Sequence, residues 1–361
     1  MAKFSGKDTI ERYNQILGDL KNKIYKPIYL LMGEETYYID KLSDFIANNI
    51  LPETERSFNQ TIIYGKDIDK ISLITDTARR FPMMSNHQIV IIREAQDIKI
   101  GNQFLKFDEL ESYAKNPLKS TILVICYKGK TIDKRTGFYK TVSKTGEILE
   151  SVKLYENEVG NWILRYTKQQ DFEIEPKAVS ILADFLGNDL SKIVNELHKL
   201  FTVLPEGKKQ ITTLDIENNI GISRDYNTFE LSKAISTKDI LRANRIVMHF
   251  GKNIKEYPFV VTIATLFSHF SKMLKFHSLL RNKRLENRDI LATLGINPYF
   301  LKDYELSARN FDITQTIKII SLLREYDMKS KGFNYTAADE GELLRELVTK
   351  IFNINNVRYT I

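Results

Sequence analysis

Thr121-Ile-Leu-Val-Ile-Cys126 decides the fold class of this chain. Apolar side chains stand at both alternate sets of positions, so a strand built from this run buries both faces. Gln88-Ile-Val-Ile-Ile92 and Ile28-Tyr-Leu-Leu-Met32 have the same character, and a further strand is predicted around Thr61 to Tyr64. Helical stripes separate them: Ile39, Leu42, Phe45, Ile46 and Ile50; then Ile71, Ile74 and Ala78; then Phe104, Leu105, Leu110 and Tyr113. An amphipathic helix from Asp8 to Leu20, striped by Ile10, Tyr13, Leu17 and Leu20, precedes them all. Doubly buried strands alternating with helices predict a parallel sheet covered on both sides.

Beyond about Glu150 the strand signals nearly vanish. Val159, Trp162, Ile163 and Tyr166 share one helical face. Pro176 suits the first turn of a helix that runs to Leu186-Gly187. Leu190, Ile193, Val194, Leu197, Leu200 and Phe201 form the cleanest stripe. Helical patterns continue over Phe229 to Ile235, Ile240 to Phe250, Pro258 to Arg281, Ile313 to Met328 and Glu340 to Phe352. Gly251, Gly295-Ile-Asn-Pro298 and Gly332 read as stops between them. The expected organisation is an α/β domain over 1–150, a small all-α domain over 151–222 and a larger all-α domain over 223–361.

Composition bounds the function. With 361 residues, 43% hydrophobic and 27% charged, the chain is globular rather than disordered or fibrous. Its single cysteine, Cys126, excludes an internal disulfide framework, fits a reducing cytoplasm and reads as a small buried hydrophobe. No signal peptide and no bilayer-spanning window are expected, hence no membrane partner. A formal charge of +7 favours polyanionic partners. The five histidines, His87, His198, His249, His269 and His277, lack metal-ligand spacing, and His198 reads as solvated. Neither a nucleophile elbow nor a cluster of metal-binding carboxylates is present, so no catalytic residue is assigned.

Four stretches carry a resemblance: Ile28-Tyr-Leu-Leu-Met-Gly-Glu-Glu35; Phe81-Pro-Met-Met-Ser85 ahead of its strand; Leu186-Gly-Asn-Asp-Leu190 leading into Asn195-Glu-Leu-His-Lys-Leu200; and Asn227-Thr-Phe-Glu-Leu231 before Lys233-Ala-Ile235. In this order the chain resembles, over nearly its whole length, the delta subunits of bacterial DNA polymerase III clamp loaders. The resemblance implies an AAA+-like (P-loop NTPase-type) domain with a parallel sheet, a helical lid and a helical collar. It also implies the function: binding and opening a sliding clamp in DNA replication. The partners implied are the clamp (beta), gamma/tau and delta prime subunits in a hetero-pentamer, and primer–template DNA through the complex. No cofactor is implied, and nucleotidyltransferase activity would belong to the holoenzyme.

A phosphate-gripping loop needs glycines, a Lys and a Ser or Thr, yet Gly33-Glu-Glu-Thr36 follows the first strand. Glu34 and Glu35 would repel a triphosphate and read as favourable charge at a helix N-terminus. By resemblance Arg93 stands where AAA+ ATPases carry a magnesium-ligating Asp, and Leu190 where they carry a phosphate-sensing Arg. The nucleotide fold is therefore expected to persist without nucleotide chemistry.

Arg79-Arg-Phe-Pro-Met-Met-Ser85 falls between a predicted helix and a predicted strand. On residue type alone its apolar members read as core packing, because exposed apolar clusters are uncommon. The resemblance instead assigns Phe81, Pro82, Met83 and Met84 to clamp binding, with Met83-Met84 where a Leu-Phe or Met-Phe pair is usual. Lys128, Lys130, Lys134 and Arg135 read equally as a solvated loop or as DNA contacts. Lys272, Lys275, Arg281, Lys283, Arg284 and Arg288, beside Phe270 and Phe276, read first as a solvated helix face. Two other functions compete: an active AAA+ ATPase motor subunit, and a stand-alone basic DNA-binding protein.

Overall fold

The computed structural model describes residues 5–101, 103–104, 106–221, 226–280, 286–296, 300–333 and 339–355. The chain divides into two compact units, one through Tyr155 together with Asn188–Ser191, the other Glu156–Gly187 with the rest of the chain.

The first unit runs α1 (Gly6–Lys21), β1 (Ile28–Gly33), α2 (Thr36–Asn49), α3 (Glu53–Asn59), β2 (Gln60–Tyr64), α4 (Ile71–Ala78), β3 (Gln88–Arg93), β4 (Lys99–Ile100), β5 (Gln103–Phe104), α5 (Glu111–Lys115), β6 (Thr121–Lys128), α6 (Gly137–Thr145) and β7 (Glu147–Ser151). Five strands pair in the order β2-β3-β6-β1-β7, every pairing parallel. Leu30 in β1, an interior strand, pairs with Ile125 of β6 on one side and Ile148 of β7 on the other. Ile28, Leu30, Met32, Val90, Ile92, Leu123 and Ile125 pack with Ile74, Tyr113, Phe138 and Val142 from α4, α5 and α6. The alternate residues Tyr29, Leu31, Ile89, Ile91, Ile122 and Val124 are buried as well, on the face covered by α1 and α2. Each such aliphatic side chain contributes roughly 1.5–3 kcal/mol. This is why three runs without a polar alternate could only be central strands.

Among the departures from the sequence reading, three have a physical cause legible in the chain. The stripe Phe104, Leu105, Leu110 and Tyr113 does not make one helix. Lys99–Ile100 pairs antiparallel with Gln103–Phe104, a 3-10 turn spans Phe107–Leu110, and α5 begins only at Glu111. Gly101, at φ +61, suits a tight hairpin turn, and that local preference overrides the periodicity; Asn102 and Leu105 lie outside the described residues. Second, β7 escaped prediction because Glu147-Ile-Leu-Glu-Ser offers only two apolar residues; it is an edge strand, fully buried at Leu149 and Ser151. Third, the helix expected to stop at Gly251 ends one residue beyond it, at Lys252.

The second unit contains α7 (Glu156–Gln169), β8 (Glu173–Ile174), α8 (Pro176–Leu186), α9 (Leu190–Val203, from Lys192 onward), β9 (Gln210–Ile211), α10 (Thr213–Ile220), α11 (Thr228–Ser236), α12 (Ile240–Lys252), α13 (Phe259–Leu280), α14 (Asn287–Leu294), α15 (Leu301–Asn310), α16 (Ile313–Ser330) and α17 (Glu340–Phe352). Pro176 opens α8 and Gly187 closes it at φ +64. Buried residues from Leu231 to Ile354 share one hydrophobic core. Gly251 lies inside α12, and a Cβ on Gly341 of α17 would meet its Cα at 2.9 Å. The two glycines, Gly251 in the last turn of its helix, permit close approach of those helices. Asn297 and Pro298 lie outside the described residues. Among the described residues no helix is long and apolar enough to cross a membrane.

Candidate functional site

Open α/β sheets ordinarily bind ligands beyond the carboxyl ends of their strands. Here the chain itself occupies much of that end. Only Glu34 and Glu35 connect β1 to α2. Gly33 takes φ +129, and a Cβ there would lie 2.0 Å from the Ser151 carbonyl oxygen. Its carbonyl accepts the Gly129 N–H at 2.8 Å, while the Glu35 N–H donates to the Ser151 carbonyl at 3.3 Å. The Ser151 hydroxyl donates in turn to the Glu35 carbonyl at 2.6 Å. The connection is thus tied to β7 through its own polar groups.

Glu35 caps α2, its carboxylate accepting the Tyr37 N–H at 3.0 Å. The expected N-terminal charge is present, but the side chain is buried at 3% exposure, whereas Glu34 is exposed. Among the described residues Glu35 Oε2 has no hydrogen-bond partner. Burial pushes this carboxyl up to about 7; the Tyr37 N–H opposes the rise, Asp189 adds to it and Lys153 opposes it. Neighbouring charges are paired: Arg93 with Asp44 at 2.5 Å and Asp40 at 3.8 Å, Lys128 with Asp40 at 2.7 Å and Glu94 at 2.6 Å. Leu190 is fully buried. Among the described residues no group of three or more His, Cys, Asp or Glu side chains is arranged to hold a metal ion.

The loop between α4 and β3 has the opposite character. Phe81 is 75% exposed, Met83 63% and Met84 fully, while Pro82 is half-buried. The core-packing alternative for Phe81, Met83 and Met84 therefore fails. Asn59, buried at the end of α3, accepts the Met83 N–H at 2.6 Å and donates to the Met83 carbonyl at 2.9 Å. Met84 follows in the left-handed region at φ +52. Beyond it the Ser85 hydroxyl accepts the His87 N–H. The loop is an ordered turn presenting apolar tips. Phe58, 71% exposed beside Asn59 in the chain, adds to the exposed apolar surface. Sequence reasoning missed both Phe58 and Asn59, because α3 has no apolar stripe to announce it.

The basic residues are not brought together as one free patch. Lys128 is held by its two carboxylates, Lys134 pairs with Glu150 at 2.6 Å, and Arg135 is bidentate to Asp133. Lys130 instead lies over the ring of Phe104. In the second unit Phe270 and Phe276 are core residues, at 0% and 1% exposure, so they do not interleave with surface lysines. Lys275 is exposed and Lys272 half-buried; Arg281, Lys283, Arg284 and the side chain of Arg288 lie outside the described residues. His198 is exposed and sits 3.0 Å from the Tyr166 hydroxyl.

Comparison with known proteins adds an independent line. Residues 29–152 match the family described as DNA polymerase III, delta subunit, and residues 225–345 match the DNA polymerase III delta subunit, C-terminal domain. The DNA polymerase III subunit delta of Bacillus subtilis (strain 168) is 23% identical over 332 residues, covering 91% of this chain and 93% of that one. The Aquifex aeolicus (strain VF5) protein named "Probable DNA polymerase III subunit delta" is 23% identical over 335 residues, covering 89% and 90%. The solved structure of the Bacillus subtilis DNA clamp loader delta protein superposes with a TM-score of 0.50 at 21% identity, covering 94% of this chain and 99% of that one. That likeness bears on the fold alone.

Proposed function

The chain belongs to the delta-subunit family of DNA polymerase III, and we propose that it docks on the sliding clamp (beta) through Phe81, Pro82, Met83 and Met84 and opens it. One observation carries this reading: an ordered loop that holds three large apolar side chains in water. Leaving such groups exposed forfeits burial that folding would otherwise gain, and contiguous exposed apolar surface marks interaction sites. Methionine adapts to irregular pockets, so Met83-Met84 can fill a site shaped for a Leu-Phe or Met-Phe pair.

Opening follows from differential affinity. Micromolar docking corresponds to about −8 kcal/mol. Only the part of that energy which favours the open ring over the closed one biases the clamp towards opening. A loop already set by Asn59 loses little conformational freedom on binding, which leaves more of the contact energy for this bias.

Within the loader we assign residues 1–150 to clamp binding, 151–222 to a small helical lid and 223–361 to the collar that meets gamma/tau and delta prime. The shared core running from Leu231 to Ile354 supports the last assignment. The reading includes no ATP hydrolysis by this chain. Support comes from the turn at Gly33, whose carbonyl is already taken, and from Glu35, whose N–H is also taken and whose carboxylate occupies the cap of α2. Primer–template DNA is reached through the complex.

The test is the affinity of the purified full chain for its sliding clamp. Met83→Ala combined with Met84→Ala removes two exposed anchors, so the fold is retained and affinity falls at least about ten-fold. An unchanged affinity rejects this loop as the docking site.

A further inference from the structure

The hairpin of β4 and β5 leaves Phe104 58% exposed. The ammonium groups of Lys99 and Lys130 lie 5.2 Å and 5.4 Å from the centre of its ring, and Lys106, two residues further on, is exposed too. A single exposed aromatic needs no explanation; two lysines converging on it from different segments do. Gly129, at φ +72, turns the chain between Lys128 and Lys130, and its N–H is fixed to the Gly33 carbonyl at the end of β1. Lys128, Lys134 and Arg135 all have carboxylate partners. Lys99 and Lys130 have none among the described residues. Of Lys99, Lys128, Lys130, Lys134 and Arg135, the two without a carboxylate partner are therefore the ones gathered on an aromatic ring.

We propose that Phe104, Lys99 and Lys130 form a contact for single-stranded DNA, in which an unpaired base stacks on Phe104 and the adjoining phosphates take the two ammonium groups. A flat π face and a regularly repeated anion are needed to use both parts of the cluster. A nucleic-acid strand offers both; an acidic peptide would engage the lysines and leave the ring in water. A surface cation–π contact is weaker than base–aromatic stacking. An arriving base thus displaces an ammonium from the ring, and the displaced group remains within reach of a phosphate. Stacking tolerates any base, so the contact holds a strand rather than reading its sequence. The cleft alongside, lined in part by Lys106, Asp108, Glu109, Thr131 and Asp133, has two of its three acids engaged. Asp133 holds Arg135, and Asp108 accepts the Phe138 N–H.

The inference rests on the reading above only in taking DNA as the partner; it does not depend on the clamp loop. The experiment is fluorescence anisotropy of a labelled oligo(dT) with the purified full chain at low salt. Phe104→Ala weakens binding about five-fold or more, and Phe104→Trp restores it. Lys130→Gln flattens the slope of log affinity against log salt by about 0.7. All three side chains are exposed, so the variants keep the wild-type unfolding midpoint. Clamp affinity of Phe104→Ala stays at the wild-type value, and the Met83→Ala, Met84→Ala chain keeps its oligo(dT) affinity, so the two readings fail separately. No wild-type binding of oligo(dT) overturns the proposal, as does wild-type affinity in Phe104→Ala. Competition by poly-glutamate as effective as by unlabelled oligo(dT) overturns it in favour of a general polyanion surface.

Discussion

The side-chain amide of Asn59 and the backbone of Met83 form a reciprocal pair of hydrogen bonds across 24 residues of sequence. Asn59 is 3% exposed, so its amide carries the loop's geometry into the body of the first unit. It satisfies both polar groups of a residue that has no sheet or helix partner, and it steadies the turn in which Met84 adopts the left-handed backbone. Such a conformation costs a non-glycine residue on the order of 1 kcal/mol and persists where surrounding contacts dictate it.

Asn59 is therefore a positioning residue for docking. Asn59→Ala leaves Met83 and Met84 in place but frees their backbone, and clamp affinity falls about three- to ten-fold through the added cost of ordering the loop. Stability falls by about 1–2 kcal/mol from the lost hydrogen bonds. Asn59→Asp, which keeps the acceptor for the Met83 N–H and loses the donor, lies between. Surface plasmon resonance on immobilised clamp reads both effects, and equal affinities in all three proteins would show that the loop needs no support.

Titration with a fluorescent ATP analogue separates this chain from a motor subunit. The polar groups after β1 bond to Gly129 and Ser151, and Lys128 is committed to Asp40 and Glu94. Binding weaker than about 1 mM is expected, with no phosphate release. Saturation at micromolar nucleotide would refute the reading of this sheet end as closed.

Glu35 predicts a pH dependence of stability. Its folded value, about 7, lies above the ordinary 4.5 because burial disfavours the charged form. Its contribution is thus fully present below about pH 4.5 and is lost as pH rises through 7. Glu35→Gln keeps a capping oxygen and does not ionise. Relative to wild type it gains about 1–3 kcal/mol between pH 4.5 and pH 8. Chemical denaturation of both proteins at the two pH values measures this, and a difference that does not change with pH contradicts it.

Cys126 sits inside β6 at 1% exposure, and burial pushes its thiol up to about 12, with Ser43 and Arg93 opposing. Since the thiolate is the reactive form, native Cys126 reacts with Ellman's reagent at least about a hundred-fold more slowly than in guanidinium. Equal rates would place the thiol outside the sheet.

How far the sequence could be read depended on where each signal originates. Ile28–Met32, Gln88–Ile92 and Thr121–Cys126 announced central strands because burial on both faces leaves no polar alternate. Glu147–Ser151, with only Ile148 and Leu149 apolar, carries too little of that signal and went unseen, whereas the other edge strand, Gln60–Tyr64, showed itself by its Ile-Ile-Tyr run. Phe104 joined a helical stripe by spacing alone, although the preceding Gly101 favoured a hairpin. At the candidate site, Pro82, Met83 and Met84 were legible as a loop from their place between two elements. Phe58 and Asn59 were not, since their importance comes from a segment 24 residues away. Counting lysines over 128–135 did not reveal that Lys128 faces Asp40 and Glu94 while Lys130 faces an aromatic ring.

The sequence by itself determined the α/β-then-helical order and the doubly covered sheet, and it flagged a loop of Phe, Pro and Met whose exposure it could not decide. Those features follow from backbone geometry and hydrophobic periodicity, which act between near neighbours in the chain. Only the tertiary structure decided that the three apolar side chains point into water and that the turn after β1 is tied to β7. It also decided that Glu35 is a buried acid, and that two of many lysines meet on Phe104. Each of these depends on which distant group fills the space beside a residue, and desolvation and charge pairing are set by that neighbour rather than by the residue itself.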